Sequence, residues 1–131
     1  MGTTKWAAIV VAAAMLVAAG CRTPTPVYNV ANSPISTSKT NPSLDEVGKT
    51  IVQAGASLGW QMRQTKPGHV LGTLYLRRHV AVVDINYSAK SYSISYKDST
   101  ELDYDGANIH PNYNGWIQNL DNRIRAQLSA L

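Results

Sequence analysis

From Trp60 to Lys97, apolar and polar residues alternate along four successive stretches, and a period of two restricts the chain to strands that carry one apolar face. Trp60 and Met62 open the pattern, and Lys66-Pro67-Gly68 supplies a turn in which Gly68 suits a left-handed position. Val70, Gly72, Leu74 and Leu76 share the next face, followed by Arg77-Arg78, a poor turn signal that the pattern nevertheless requires to be a turn. Ala81, Val83, Ile85 and Tyr87 make the third face, and Tyr92, Ile94 and Tyr96 make the fourth. A loop at 88–91 then sets Tyr87 opposite Tyr92, Ile85 opposite Ile94 and Val83 opposite Tyr96. Apolar residues meet apolar residues throughout, so the register is self-consistent.

Two helices flank these strands. Ser43-Leu-Asp-Glu46 has the form of a capping box, and Leu44, Val47, Ile51, Ala54 and Leu58 follow as one stripe ending at Gly59. Gly48 and Gly55 weaken this helix intrinsically, which implies that packing sustains it. A second helix follows His110-Pro111, with Tyr113, Trp116, Ile117, Leu120, Ile124 and Leu128 along its stripe. Two helical stripes and one apolar sheet face predict a two-layer α+β domain, α-β-β-β-β-α, over 43–131. Its sheet is a four-stranded antiparallel meander with both helices packed on one face.

The amino-terminal region has a different composition. After Lys5, Trp6 to Gly20 is an uncharged run of 15 residues that ends in small side chains. That order predicts an export signal over 1–20. As a helix the run reaches roughly 22 Å at ~1.5 Å per residue, short of the ~30 Å core a transmembrane helix must cross. A removed signal is the primary reading and a short uncleaved anchor the alternative. Residues 21–42 carry Pro24, Pro26, Pro34 and Pro42 among Ser, Thr and Asn, the composition of a flexible linker. Local alternation from Val27 to Val30 leaves open that this stretch docks as an edge strand.

Leu16-Val-Ala-Ala-Gly-Cys21 resembles the lipobox of bacterial lipoproteins, with Ala18 where that motif prefers Leu. The resemblance implies that the Cys21 thiol receives a diacylglycerol, that the chain is cut before it, and that the new amino group is acylated. It supplies a use for the single cysteine of an exported chain. In enterobacterial members an Asp after the cysteine favours the inner membrane; Arg22 at that place implies the outer membrane, on its periplasmic face. From His79 to Leu120, the stretches Arg-His-Val-Ala-Val-Val, Tyr-Ser-Ile-Ser-Tyr-Lys-Asp-Ser and Ile-His-Pro-Asn-Tyr-Asn-Gly-Trp-Ile are similar to a group of small uncharacterised proteobacterial lipoproteins, which brings no activity with it. The chain has 12 Lys and Arg against 8 Asp and Glu. Losing Lys5 with the signal leaves 11 against 8, a formal +3, and the basic residues are scattered, so nucleic acid is not an expected partner.

Catalytic and metal chemistry needs converging side chains, and the three histidines do not converge on the predicted register. His69 falls beside Asn86 and His79 beside Leu76, seven rungs or roughly 24 Å apart at ~3.4 Å per residue, on opposite faces. His110 reads as a helix cap. Glu101-Leu-Asp103-Tyr-Asp105-Gly106 resembles the opening of a calcium-binding loop, but the closing glutamate is replaced by Asn112; a solvated acidic turn is the main reading. No metal, cofactor or catalytic residue is expected. The uncovered sheet face, with Leu71, Thr73, Tyr75, Val80, Val82, Asp84, Ser93 and Ser95, is the first binding candidate, against the plainer reading of a half-exposed face covered by the linker. His110, Tyr113, Asn114 and Trp116 form a second candidate of sugar-binding character, although Tyr113 and Trp116 also lie on the helix stripe as core.

The function these residues predict is a nonenzymatic, lipid-anchored periplasmic module, held to membrane lipid through Cys21, that binds or assists an envelope protein. Two alternatives stand beside it. One is an envelope hydrolase or glycan-processing enzyme using His110 with Asp103 or Asp105. The other binds peptidoglycan or another glycan through Tyr113, Asn114 and Trp116.

Overall fold

A computed structural model describes residues 2–3 and 23–131. Cys21, Arg22 and all but two residues of the expected export signal lie outside them. Among the described residues, no helix is long and apolar enough to cross a membrane. The chain forms β1 (Thr25–Pro26), β2 (Val30–Pro34), α1 (Leu44–Ser57), β3 (Gln61–Lys66), β4 (His69–Leu76), β5 (His79–Tyr87), β6 (Ser91–Thr100), β7 (Asn108–Ile109) and α2 (Pro111–Ser129). This is an α+β fold.

The alternating stretches become the meander β3-β4-β5-β6 in the expected register: Val83 faces Tyr96, Ile85 faces Ile94, Tyr87 faces Tyr92, and His69 faces Asn86. Gly68 turns the β3–β4 hairpin at φ 86°, a region that costs glycine nothing. Arg77 turns β4 into β5 at φ 58°, against the preference of an L-residue. The meander thus has two ends, a Gly68 end and an Arg77 end. Near the latter the register of β6 shifts at Lys97, because Val82 pairs with Asp98 while Val83 pairs with Tyr96. Both Lys97 and Asp98 oppose the same rung, which lets Lys97 reach across to Asp84.

The sheet has five strands, not four, with order β2-β6-β5-β4-β3, and a separate ribbon pairs β1 with β7. The fifth strand comes from the stretch expected as a flexible linker over 21–42. Val30 pairs opposite Ile94 and is 7 % exposed, so one apolar side chain completes the covered face at the β6 edge. Asn29 accepts the Tyr96 amide at 3.0 Å through Oδ1, and Ile35 donates to Lys90 O at 2.8 Å. Prolines and asparagines suit this edge as well as a linker. Pro34 removes a donor, and Asn32, at φ 48°, sits in the irregular part of the strand, features that discourage further strand addition.

Both helices pack on one face. Ser43 caps α1 as the capping box requires: Glu46 N donates to Ser43 Oγ at 3.1 Å and Ser43 N to Glu46 Oε2 at 2.8 Å. Val47, Ile51 and Ala54 are fully buried, whereas Leu44 stays 36 % exposed at the first turn, outside the stripe expected of it. Gly48 is where α1 comes closest to the sheet: a Cβ there would lie 2.3 Å from Tyr87 Oη, which accepts from Gln64 Nε2 at 2.6 Å. The glycine that weakens the helix is what lets it approach. Tyr113, Ile117, Leu120, Ile124 and Leu128 bury the stripe of α2 against Val83, Ile85, Tyr92 and Ile94. The buried acid in this core is Asp121, which accepts hydrogen bonds from the Tyr92 hydroxyl and the Arg125 guanidinium.

Candidate functional site

The register puts Leu71, Thr73 and Tyr75 of β4, Val80, Val82 and Asp84 of β5, and Ser93 and Ser95 of β6 on the face opposite the helices. Thr73 pairs with Val82 and Tyr75 with Val80, so the candidates Leu71, Tyr75, Val80 and Val82 form one apolar patch across two strands. Leu71, Val80 and Val82 are half-buried by their neighbours, and Tyr75 is 60 % exposed. The N-terminal strand does not cover this face. It lies beside β6, where Asn32 N donates to Ser93 Oγ at 2.9 Å.

Toward the Gly68 end, a polar string borders the patch. Thr65 Oγ1 meets His69 Nδ1, His69 Nε2 meets Asp84 Oδ1 at 2.7 Å, and Asp84 Oδ2 lies 3.7 Å from Lys97 Nζ. In the neutral imidazole, Nε2–H donates to the carboxylate and Nδ1 accepts from the threonine hydroxyl. The order hydroxyl, imidazole, carboxylate is that of a nucleophilic triad. Acyl transfer also needs donors for the oxyanion and exclusion of water. Thr65 stands exposed on the edge strand β3, so water is not excluded from its hydroxyl. The string therefore ties β3, β4, β5 and β6 together at the rim of the patch. Sequence reasoning named Asp84 as part of the face but missed this pairing, which depends on the short reach from Thr65 around the hairpin and on the bulge at Lys97.

His79 and His110 correct the expectation that no histidines converge. Their ring centroids are 6.1 Å apart, with Trp116 at 6.3 Å from His79. The contact is non-local: β7 brings the start of α2 beside the start of β5, and no local pattern announces it. His79 Nδ1 donates to Glu101 O at 2.7 Å, and His110 Nδ1 accepts from Asn112 N at 3.1 Å as the cap of α2. Among the described residues, no three His, Cys, Asp or Glu side chains are grouped to hold a metal ion.

An open cavity of about 680 Å³ lies at the same end, between Tyr96, Lys97, Asp98, Ser99, Glu101, Leu102, Asp103 and Tyr104. Glu101 and Asp103 hold left-handed φ values of 58° and 53°, and Tyr104 stacks on Tyr96 at 4.0 Å. Asp105 is turned back on its own loop and accepts from Asn108 N at 2.7 Å and Ala107 N at 2.9 Å. The Asn108 and Ala107 amides hold its carboxyl below the usual carboxylate range. It closes a turn as the acidic-loop reading requires, and is not offered to His110.

The sugar-binding candidates sit where α2 meets the core, the N-terminal strand and the start of β5. Tyr113 is fully buried, and its hydroxyl has no hydrogen-bond partner. Asn114 clamps the N-terminal strand: Oδ1 accepts from Tyr28 N at 2.9 Å, and Nδ2 donates to Pro26 O at 2.8 Å and Thr25 Oγ1 at 3.2 Å. Trp116 is half-buried beside His79. Comparison with models of protein families, with curated proteins and with solved structures gives no match to this chain.

Proposed function

We propose that this chain is a nonenzymatic, lipid-anchored module on the periplasmic face of the outer membrane, and that it binds or assists an envelope protein through the uncovered face of its sheet. The observation that carries the reading is the continuous patch of Leu71, Tyr75, Val80 and Val82, bordered by His69, Asp84 and Lys97. An apolar centre with a polar rim is the anatomy of a protein contact surface. The resemblance of Leu16–Cys21 to a lipobox supports the address. Each buried methylene contributes about 0.8 kcal/mol, so two or three acyl chains on Cys21 make release from the bilayer negligible.

The test is position-dependent crosslinking in intact cells. A photoreactive residue replacing Val82 captures a defined protein. The same group replacing Gln127, on the helical layer, does not, and capture falls in the Cys21→Ala variant. Equal yields from the two positions would remove the face as the site, and a free Cys21 sulfur in the mass of the native protein would remove the anchor.

A further inference from the structure

Resting on the lipid-anchor reading above, we infer that the Arg77 end of the domain lies directly against the headgroups of the bilayer that holds the chain, so that the sheet stands upright on the membrane. Three observations converge on this. The first is chain length. β1 pairs Thr25 with Ile109 and Pro26 with Asn108, and Asn114 clamps both β1 residues. Only four residue steps separate Cys21 from Thr25, a span of at most roughly 14 Å at ~3.6 Å each. Docking of β1 and β2 holds most of the stretch 21–42, expected as a flexible linker, against the domain.

The second is where the apolar surface lies. Among the described residues, five large hydrophobic side chains are exposed: Tyr28, Leu44, Tyr75, Leu76 and Tyr104 at 36 % or more. Four stand at the Arg77 end, three of them tyrosines, the residue type that settles at a membrane–water interface. The exception, Leu44, opens α1 at the opposite end, where Lys39 pairs with Glu46 of α1 and donates its amide to Leu131 O beyond α2. α2 runs 19 residues between the two ends, roughly 28 Å at ~1.5 Å per residue.

The third is the hairpin tip. Arg77 keeps a φ of 58°, where glycine or asparagine is the ordinary occupant, and Arg78 follows it. Two guanidiniums are thereby presented at the outermost point of β4–β5, placed to bind phosphate oxygens. Glu101 and Asp103 are exposed at the same end, on the loop after β6. Cations with anions side by side match a zwitterionic headgroup layer, which offers phosphate and ammonium together; an anionic surface would be repelled by half of this set. Tyr75 stands at the boundary, and the rest of the patch, running up the strands through Val82 and Leu71, then opens sideways into the aqueous compartment.

The experiment uses the native acylated protein in vesicles of phosphatidylcholine and phosphatidylethanolamine that carry a spin label at headgroup depth. With Cys21 acylated, Leu76→Cys and Leu44→Cys each offer one thiol for an environment-sensitive fluorophore, at sites of 44 % and 36 % exposure. Quenching several-fold stronger at Leu76 than at Leu44 is the expected result. Arg78→Cys repeats the measurement if Leu76→Cys fails to fold. Equal quenching at both ends, with intact mass showing acyl chains on Cys21, overturns the orientation and leaves the anchor standing. A free sulfur in that mass spectrum overturns both.

Discussion

The two faces of the sheet are written by the same four strands, and they differ in what their apolar residues achieve. On the covered face Val70, Ala81, Val83, Ile85 and Ile94 are wholly buried under both helices. One residue along each strand, Leu71, Val80 and Val82 are only half-buried, and Tyr75 is mostly in water. The polar groups divide the same way. The covered face admits Asp121, paired on both sides; the uncovered face carries Thr65, His69, Asp84 and Lys97 in a string open to solvent at its Lys97 end. Burial fixes the first face for stability and leaves the second partly in water. The contrast teaches that hydrophobic content along a strand does not by itself mark core; which neighbour covers it does.

The sharpest way to break the comparison is to delete volume on the covered face. Ile85→Ala, at a fully buried position opposite Ile94, should cost about 2–5 kcal/mol in urea unfolding. Gly48→Ala should come next. Alanine gains about 1 kcal/mol of helix propensity, but its Cβ meets a Tyr87 ring fixed through Gln64. Overpacking of that kind costs about 1–3 kcal/mol, so we expect a net loss of roughly 1 kcal/mol, read as a lower denaturant midpoint. An unchanged or higher midpoint would mean that α1 lifts from the sheet without penalty.

A tyrosine pair within the covered layer sharpens the polar half of the contrast. Tyr92→Phe leaves buried Asp121 without one donor and should destabilise by about 1 kcal/mol, whereas Tyr113→Phe removes an unpartnered buried hydroxyl and should stabilise by a similar or smaller amount. Burial, aided by the Asp121 hydrogen bond, raises the Tyr92 pKa; burial, aided by nearby Tyr96 and Tyr104, raises that of Tyr113 further. An acid whose folded pKa is raised keeps its proton longer when folded. The contribution is therefore complete below the unfolded value near ~10 and is lost as pH climbs above it. Stability should fall above that pH in the parent chain, and fall less steeply in Tyr113→Phe.

The meander was legible because alternation is strict on both sides of every turn, so a one-residue slip would have put Ile85 or Ile94 in water. Ser43 and Pro111 marked the helix starts by local chemistry alone. What escaped the sequence is non-local. Alternation from Val27 to Val30 offered an edge strand only as an alternative to a linker, because the prolines, serines and asparagines around it outweigh two valines; the open β6 edge is what makes Val30 core. Asn114 looked like a sugar contact because its partners lie 86 to 89 residues away. The approach of His79 to His110 depends on the two-residue β7, shorter than any pattern can register. The candidate patch itself was legible, since Leu71, Tyr75, Val80 and Val82 followed from register; its polar border at Thr65, His69 and Lys97 was not.

The smallest expected effect on folding belongs to the uncovered face. Val82→Thr keeps β-branching and exchanges one methyl for a hydroxyl at a half-buried position between Thr73 and Asp98. Its strand preference is retained and the new hydroxyl is exposed to water, so the midpoint should move by no more than about 0.5 kcal/mol. A partner seated on the patch would have to desolvate that hydroxyl without a hydrogen bond. Capture by a crosslinker placed at Leu71 should therefore fall several-fold in Val82→Thr while stability is preserved. The opposite pairing of results, a stability loss matching a core deletion with capture intact, would mean that Val82 is already covered in the folded protein and that the two faces are not different in kind.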